Sequence, residues 1–400
     1  MHLASTREDL GERNRRIVLG EILLNGPISR TAIAERVGLT QASVSRITRN
    51  LIETDLVEEA EHYHGSSGRG RRFIGLRIKP NSGFVAGIAI NVFSQDIVLG
   101  DLANGEVTHK RLNIPDLSDA TQVLTHCAQE LDELITRSGI ERQRFIGCSV
   151  ALAGAIDTER AILSSSPVLG WENVNIKHCM QSRLNIPLVV ESNANAKNLT
   201  AHCFGPAKGA TNLILFNCFL AVSASLLIDG HLLRGREFGT GLIESMLVPD
   251  ETTSKLNPVD EVAGGFGVIG VSPIQDEVSG RYLARKLLEV ISVAEEGDQD
   301  AQGRLIASGR ALAWVIAQTN ALLHADQILV SGPLIESEFY REGIRARLNE
   351  LTNEDLVKER LRFFHITSHA AAHSLAIYHF LIRGDCEHEL MNLAEGFKIA

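Results

Sequence analysis

Two groups of residues near the N-terminus have the types and spacing to contact nucleic acid. Gln41, Ala42, Ser43, Ser45, Arg46 and Arg49 lie close together. An arginine can bond guanine through two N–H groups in the major groove, a glutamine can do the same to adenine, and small alanine and serine side chains let a helix come close. Arg69, Arg71 and Arg72 are interleaved with glycine in the run His62-Tyr63-His64-Gly65-Ser66-Ser67-Gly68-Arg69-Gly70-Arg71-Arg72. So thin a chain can enter a minor groove, where inserted arginines favour narrow A·T-rich tracts. His365, His369 and His373 recur at i, i+4 and i+8 and would share one helix face, a spacing that can bind metal. His365 is expected on a strand, which leaves only two, so polar packing or a dimer surface is the better reading. Cys127, Cys148, Cys179, Cys203, Cys218 and Cys386 are scattered with no CxxC pair and read as buried reduced thiols.

The elements that must position the first group can be read from periodicity. Residues 14–25 carry apolar Ile17, Val18, Leu19, Ile22, Leu23 and Leu24 and predict an amphipathic helix stopped by Gly26-Pro27. Ser29 is placed to cap a second helix over 31–37, which Gly38 ends, and Thr40 to cap a third over 41–54. Helix, tight glycine turn and helix make a helix-turn-helix. In the third helix Val44, Ile47 and Leu51 face inward, and Ala42, Ser45, Arg46 and Arg49 lie opposite. Gln41 and Ser43 stand in the first turn, where a recognition helix reaches base edges. A strand from Leu56-Val57, the arginine-glycine loop and a returning strand over 73–78 form a wing.

Charge separates this head from the rest. The 400-residue chain has net charge −10, yet residues 1–80 hold 13 Lys and Arg against 10 Asp and Glu. That pattern fits a small DNA-reading module on an acidic body. No run reaches the ~18 apolar residues of a membrane span, and early charges replace a signal-peptide core, so the expected location is the cytoplasm. After Pro80-Asn81-Ser82-Gly83, strands are expected over 84–90, 96–102 and 107–112, a helix over 120–137 and a strand over 144–151. A second set begins with strands over 212–217, 221–228 and 231–233, and a strand over 327–330 follows later. The body is therefore α/β and two-lobed, resembling the actin/hexokinase-like fold. The expected division is a winged helix-turn-helix over 1–80, one lobe over 81–195, and a second lobe with oligomerisation surfaces over 196–400 whose C-terminal helix returns to the first.

Several motifs together carry a family resemblance across nearly the whole chain. They are Gly68-Arg69-Gly70-Arg71-Arg72, Gly87-Ile88-Ala89-Ile90, Ala153-Gly154 with Asp157, Ser166-Pro167-Val168-Leu169-Gly170-Trp171, Glu191-Ser192-Asn193-Ala194-Asn195 and Ile328-Leu329-Val330-Ser331-Gly332-Pro333. The chain resembles the ROK family, which contains sugar-responsive repressors and bacterial sugar kinases. The resemblance implies palindromic operators, sugar or sugar-derivative effectors and a homodimer or homotetramer.

The departures from the kinase pattern are specific. The family's Asp-x-Gly-Gly-Thr phosphate loop is Ala89-Ile90-Asn91-Val92-Phe93 here, without its glycines and with Phe93 in the way. A second loop, Gly-Gly-Gly, is Ser331-Gly332-Pro333, and proline has no N–H to donate. The family's general base must be a carboxylate; its position holds Asn193. In the Gly-Glu-x-Gly-His segment the match Gly241-Leu242-Ile243-Glu244-Ser245 has lost the Glu and the His, and the zinc-binding cysteine run has no counterpart. These departures predict no catalytic residue, no metal and no cofactor. The expected function is a DNA-binding regulator, most simply a repressor of carbohydrate genes, acting on a double-stranded palindromic operator with A·T-rich flanks and independent of membranes. Its ligand pocket would be built from Ser192, Asn193, Glu244 and Glu261, with Trp171 either stacking on a sugar or sitting in the core. The alternative is a DNA-binding protein whose body is only an oligomerisation or docking scaffold; a sugar kinase is the remote one.

Overall fold

The computed structural model describes residues 7–63, 73–181, 183–235, 239–250, 255–272, 280–352 and 355–383. Arg69, Arg71, Arg72 and Cys386 lie outside them. The head comprises α1 (Arg7–Asn25), α2 (Arg30–Val37), α3 (Gln41–Glu53) and the antiparallel pair β1 (Val57–Tyr63) and β2 (Phe73–Ile78). α1 starts well before residue 14 because Leu10, Glu12 and Arg13 are good helix formers. Ser29 Oγ accepts from the Ala32 N–H at 3.2 Å, and Thr40 Oγ1 from that of Ser43 at 3.2 Å. Both caps satisfy donors that a helix start leaves open. Gly38, at φ 67°, turns the chain between the helices.

The first lobe contains β3 (Phe84–Ile90), β4 (Gln95–Asp101), β5 (Glu106–Leu112), α4 (Ala120–Ser138) and β6 (Phe145–Leu152). A small antiparallel sheet follows, β7 (Ala155–Asp157), β8 (Ile162–Ser166) and β9 (Trp171–Asn175), then α5 (Ile176–Gln181), β10 (Leu188–Ser192) and α6 (Asn193–Phe204). The second lobe contains β11 (Leu213–Cys218), β12 (Val222–Ile228), β13 (His231–Leu232), the hairpin β14 (Leu247–Asp250) and β15 (Lys255–Pro258), α7 (Val259–Val262) and α8 (Gly265–Ile269). It continues with α9 (Gly280–Glu295), α10 (Gln299–Leu323), β16 (Gln327–Ser331), α11 (Glu338–Leu351) and β17 (Leu361–Phe363).

The two five-stranded sheets repeat one topology. Their orders are β10-β6-β3-β4-β5 and β13-β12-β11-β16-β17. In each, three strands form an antiparallel meander and the two later strands run parallel to the first. β3 and β6 are buried along their whole length, so both faces of the sheet are covered. Trp171, 2% exposed, sits in the core and donates its indole N–H to the Leu117 carbonyl at 2.6 Å. It is not among the residues that line the interlobe cleft.

The last helix among the described residues, α12 (Ser368–Ile377), continues through a wider π-type turn over Tyr378–Arg383. It packs on β3, β4 and β6 and against α6. Gly100 and Gly147 permit this approach: a Cβ on Gly100 would enter the His373 ring, and one on Gly147 the Phe380 ring. Val18, Leu19 and Ile22 of α1 join Val85, Ile146, Ile377, Phe380 and Leu381 in one buried cluster. Head and body therefore share a hydrophobic core, each fully buried aliphatic or aromatic side chain contributing about 1.5–3 kcal/mol.

Candidate nucleic-acid interface and ligand cleft

α3 sorts its residues by face. Val44, Ile47, Thr48 and Leu51 are buried, while Gln41, Ala42, Arg46 and Arg49 are exposed and Ser43 and Ser45 are partly so. Four other cations of the head are occupied. Arg30 bonds Glu59 at 2.9 Å and Thr48 at 3.2 Å, Arg36 pairs with Glu21 at 3.0 Å, Arg77 with Glu58 at 2.7 Å and Lys79 with Asp55 at 2.7 Å. Among the described residues Arg46 and Arg49 have no carboxylate partner. Two uncommitted guanidinium groups on one exposed helix face suit base edges and phosphates.

A cleft of about 320 Å³ opens between the two lobes. Its floor is the β10–α6 junction. Ser192 caps α6 by accepting from the Asn195 N–H at 3.2 Å. Asn193 donates weakly to the Ile90 carbonyl at 3.4 Å, and its Oδ1 is buried without a partner. Glu191 accepts from Asn195 Nδ2 at 2.9 Å, from the Ser192 N–H at 3.0 Å and from Arg234 at 2.8 Å, so it ties strand, helix and the 232–235 segment together. Glu244 and Asp260 line another part of the wall. Asp260 accepts from the Val222 N–H at 2.9 Å. Burial pushes its carboxyl up to about 6, with the Val222 bond opposing and the Glu244 charge adding. Glu261, expected in the pocket, is half-buried and absent from the lining; the neighbouring Asp260 faces the cleft instead, because the short helix α7 turns adjacent side chains apart.

The segments that the resemblance sets at the two phosphate-loop positions also border the cleft. Asn91 Oδ1 accepts from the N–H groups of Phe93 at 2.9 Å and Ser94 at 2.7 Å. Those donors are thus consumed within the turn, and the Phe93 ring, 41% exposed, lines the opening. Pro333 lines it from the other lobe.

The three histidines separate. His365 lies in the loop between β17 and α12, not on a strand, and pairs with Glu336 at 2.9 Å. His373 is buried against Gly100 and hydrogen-bonds the Asp101 carbonyl at 3.2 Å. His369 stacks on His109 with ring centroids 4.1 Å apart. His109, His369 and Asp96 bring ligand-type atoms within 4.8 Å of one another. Asp96 is nevertheless committed: it accepts from Ser94 at 2.7 Å and from His109 and Arg111, each at 2.9 Å. Burial pushes its carboxyl up, but these bonds outweigh that and hold it below the usual range. A cation would have to displace the Arg111 guanidinium, so the arrangement is an ion-pair network.

Sequence reasoning missed Lys197, Arg234, Asp260 and Asn217, all of which line the cleft. Lys197 left one signal: it follows Asn193 by four positions, on the same face of a helix. Nothing local marks the others, because their partners come from distant strands.

Known proteins match both parts of the chain. The ROK family profile covers residues 85–252, and a profile described as winged helix-turn-helix DNA-binding covers residues 12–58. The chain is 23% identical over 357 residues to the xylose repressor of Caldicellulosiruptor bescii, covering 86% of this chain and 88% of that one. It is 25% identical over 332 residues to the DNA-binding transcriptional dual regulator NagC of Escherichia coli K12, covering 78% of each. Its fold matches the crystal structure of a ROK family transcriptional regulator, a homolog of the E. coli MLC protein, at TM-score 0.75 and 20% identity, over 96% of this chain and 99% of that one. Among the described residues no helix is long and apolar enough to cross a membrane.

Proposed function

The chain belongs to the ROK family, with a winged helix-turn-helix DNA-binding domain ahead of its ROK domain, and from that premise we propose a transcriptional repressor of carbohydrate genes whose interlobe cleft takes the effector. The relatives are regulators by name, one of them a xylose repressor. Gln41, Ala42, Ser43, Ser45, Arg46 and Arg49 read base edges and phosphates, and the wing arginines Arg69, Arg71 and Arg72 enter the flanking minor groove. Two copies related by a two-fold axis set their recognition helices ~34 Å apart on a palindromic operator. The protein works where the DNA is, in the cytoplasm.

The cleft supports binding without turnover. The amide of Asn193 can donate to and accept from a sugar hydroxyl, but it cannot remove a proton from one. The turn at Asn91 keeps its N–H groups for itself, and neither Phe93 nor Pro333 offers a phosphate cradle. Ser192, Asn193, Glu244 and Asp260 are the residues to hold the ligand.

One observation carries the reading: α12 touches both sites. Its first residues, Ser368 and His369, line the cleft, while Ile377 and the following Phe380 and Leu381 share a core with α1 of the head. A ligand that changes lobe closure acts on one end of a packed rod whose other end seats the DNA-binding head. Such coupling needs a ligand that binds the two arrangements with different affinity.

The test is binding of the purified protein to DNA from upstream of its own gene, with and without a panel of sugars and sugar phosphates. Salt-sensitive binding released by one sugar is expected. Binding that no sugar changes would make the body a scaffold; no binding at physiological salt would remove the DNA reading.

A further inference from the structure

Lys197 is a buried cation in the wall of the cleft. It sits on α6 one turn beyond Asn193, is 6% exposed and lines the cleft. Its ammonium donates to Asn217 Oδ1 on β11 at 2.7 Å. That is one bond for a group with three N–H donors. Among the described residues it forms no ion pair, whereas Arg111 is bonded to Asp96 and Arg234 to Glu191 in the same cleft.

A buried charge without a counter-charge is costly and is kept when something else compensates it. Burial pushes the Lys197 ammonium down to about 8, with neighbouring Cys218 opposing it. None of the acids of the cleft pairs with it: Asp96 and Glu191 already hold arginines, Asp260 is bonded to the Val222 N–H, and Glu244 forms no ion pair with Lys197 among the described residues. Two further buried atoms of the lining, Asn193 Oδ1 and Ser166 Oγ, have no hydrogen-bond partner. The cleft thus presents an uncompensated cation together with neutral polar atoms suited to hydroxyls.

We propose that the effector of this cleft carries an acidic group, a carboxylate or a phosphate, and that Lys197 is its counter-ion. The inference rests on the reading of the cleft as the effector site. Sugar hydroxyls meet Asn193 and Ser166, and the acidic group reaches the Lys197–Asn217 pair. The hydrogen bond between a full charge and a buried ammonium is the stronger kind.

The test is calorimetric titration of the full-length protein with matched probes: glucose, glucuronate and glucose 6-phosphate; xylose and xylonate; N-acetylglucosamine and its 6-phosphate. One acidic member should bind at least roughly tenfold tighter than its neutral parent, and whether it is a carboxylate or a phosphate identifies the acid. Lys197→Gln should weaken that acid roughly ten- to hundredfold and the neutral parent less than about threefold. Lys197→Met, which keeps the length of the side chain, replaces it should the glutamine variant fail to fold. If neutral sugars bind as well as their acids, or if the acid preference survives in the variants, Lys197 is not the counter-ion although the effector cleft stands. If no member of the panel binds, both readings fall.

Discussion

The core shared by head and body can be tested through Phe380 and Gly147. Phe380 is 1% exposed and its ring occupies the space that a Cβ on Gly147 would need. Truncating such a phenylalanine costs about 3–5 kcal/mol from lost transfer energy and the cavity left behind. Gly147→Ala pushes a methyl group into the ring from the opposite side, and overpacking of that kind costs about 1–3 kcal/mol. The two penalties exclude each other. Once Phe380→Ala has removed the ring, the methyl group added by Gly147→Ala finds an empty space, so the double variant should be no less stable than Phe380→Ala alone. The cycle should therefore show a coupling of about 1–3 kcal/mol opposite in sign to the single effects. By calorimetry Phe380→Ala should lower the melting temperature by roughly 6–20 °C for a cooperative unit of about 150–250 residues. Operator binding measured well below that temperature should persist, with a reduced response to effector. Additive losses in the cycle, or a Phe380→Ala variant as stable as the parent, would refute a core continuous from α1 through the C-terminal segment to β6.

Two other changes separate function from stability. Arg46→Ala and Arg49→Ala should each weaken operator binding by about 1–3 kcal/mol if the side chain reads a base; loss of a phosphate contact instead lowers the salt slope by about 1. Neither should alter stability by more than about 0.5 kcal/mol, since neither side chain has a carboxylate partner among the described residues, whereas Arg30→Ala, which loses Glu59 and Thr48, should lower the melting temperature. Asp260 gives a pH signature. Its folded value of about 6 lies above the ordinary value near 4, so the stability it contributes is complete below pH ~4 and is lost as pH rises through 6. Asp260→Asn keeps an oxygen for the Val222 N–H and removes that loss, so the variant should gain on the parent by up to about 3 kcal/mol between pH ~4 and ~7; parallel stability–pH curves in denaturant titrations would exclude the effect.

The DNA-binding head was legible in the sequence because its signals are local. The caps at Ser29 and Thr40 bond N–H groups three positions away, the turn at Gly38 is one residue, and the buried face of α3 follows from helical period. The meander strands of both lobes were legible for the same reason, and motif position alone pointed to Ser192 and Asn193. The histidines show the limit of such reasoning. Their regular spacing says nothing of His109, which meets His369 from β5, or of Gly100, whose missing side chain makes room for His373. Likewise Asp260 rather than Glu261 lines the cleft, bonded to Val222, 38 residues away. Lys197 became a counter-ion candidate only when β11 brought Asn217, and no carboxylate, to its end. Tertiary structure alone decided these pairings, and the contact of α12 with both cleft and head, because the sequence records side-chain chemistry and period, while burial and charge compensation depend on which distant strands the closed chain sets beside them.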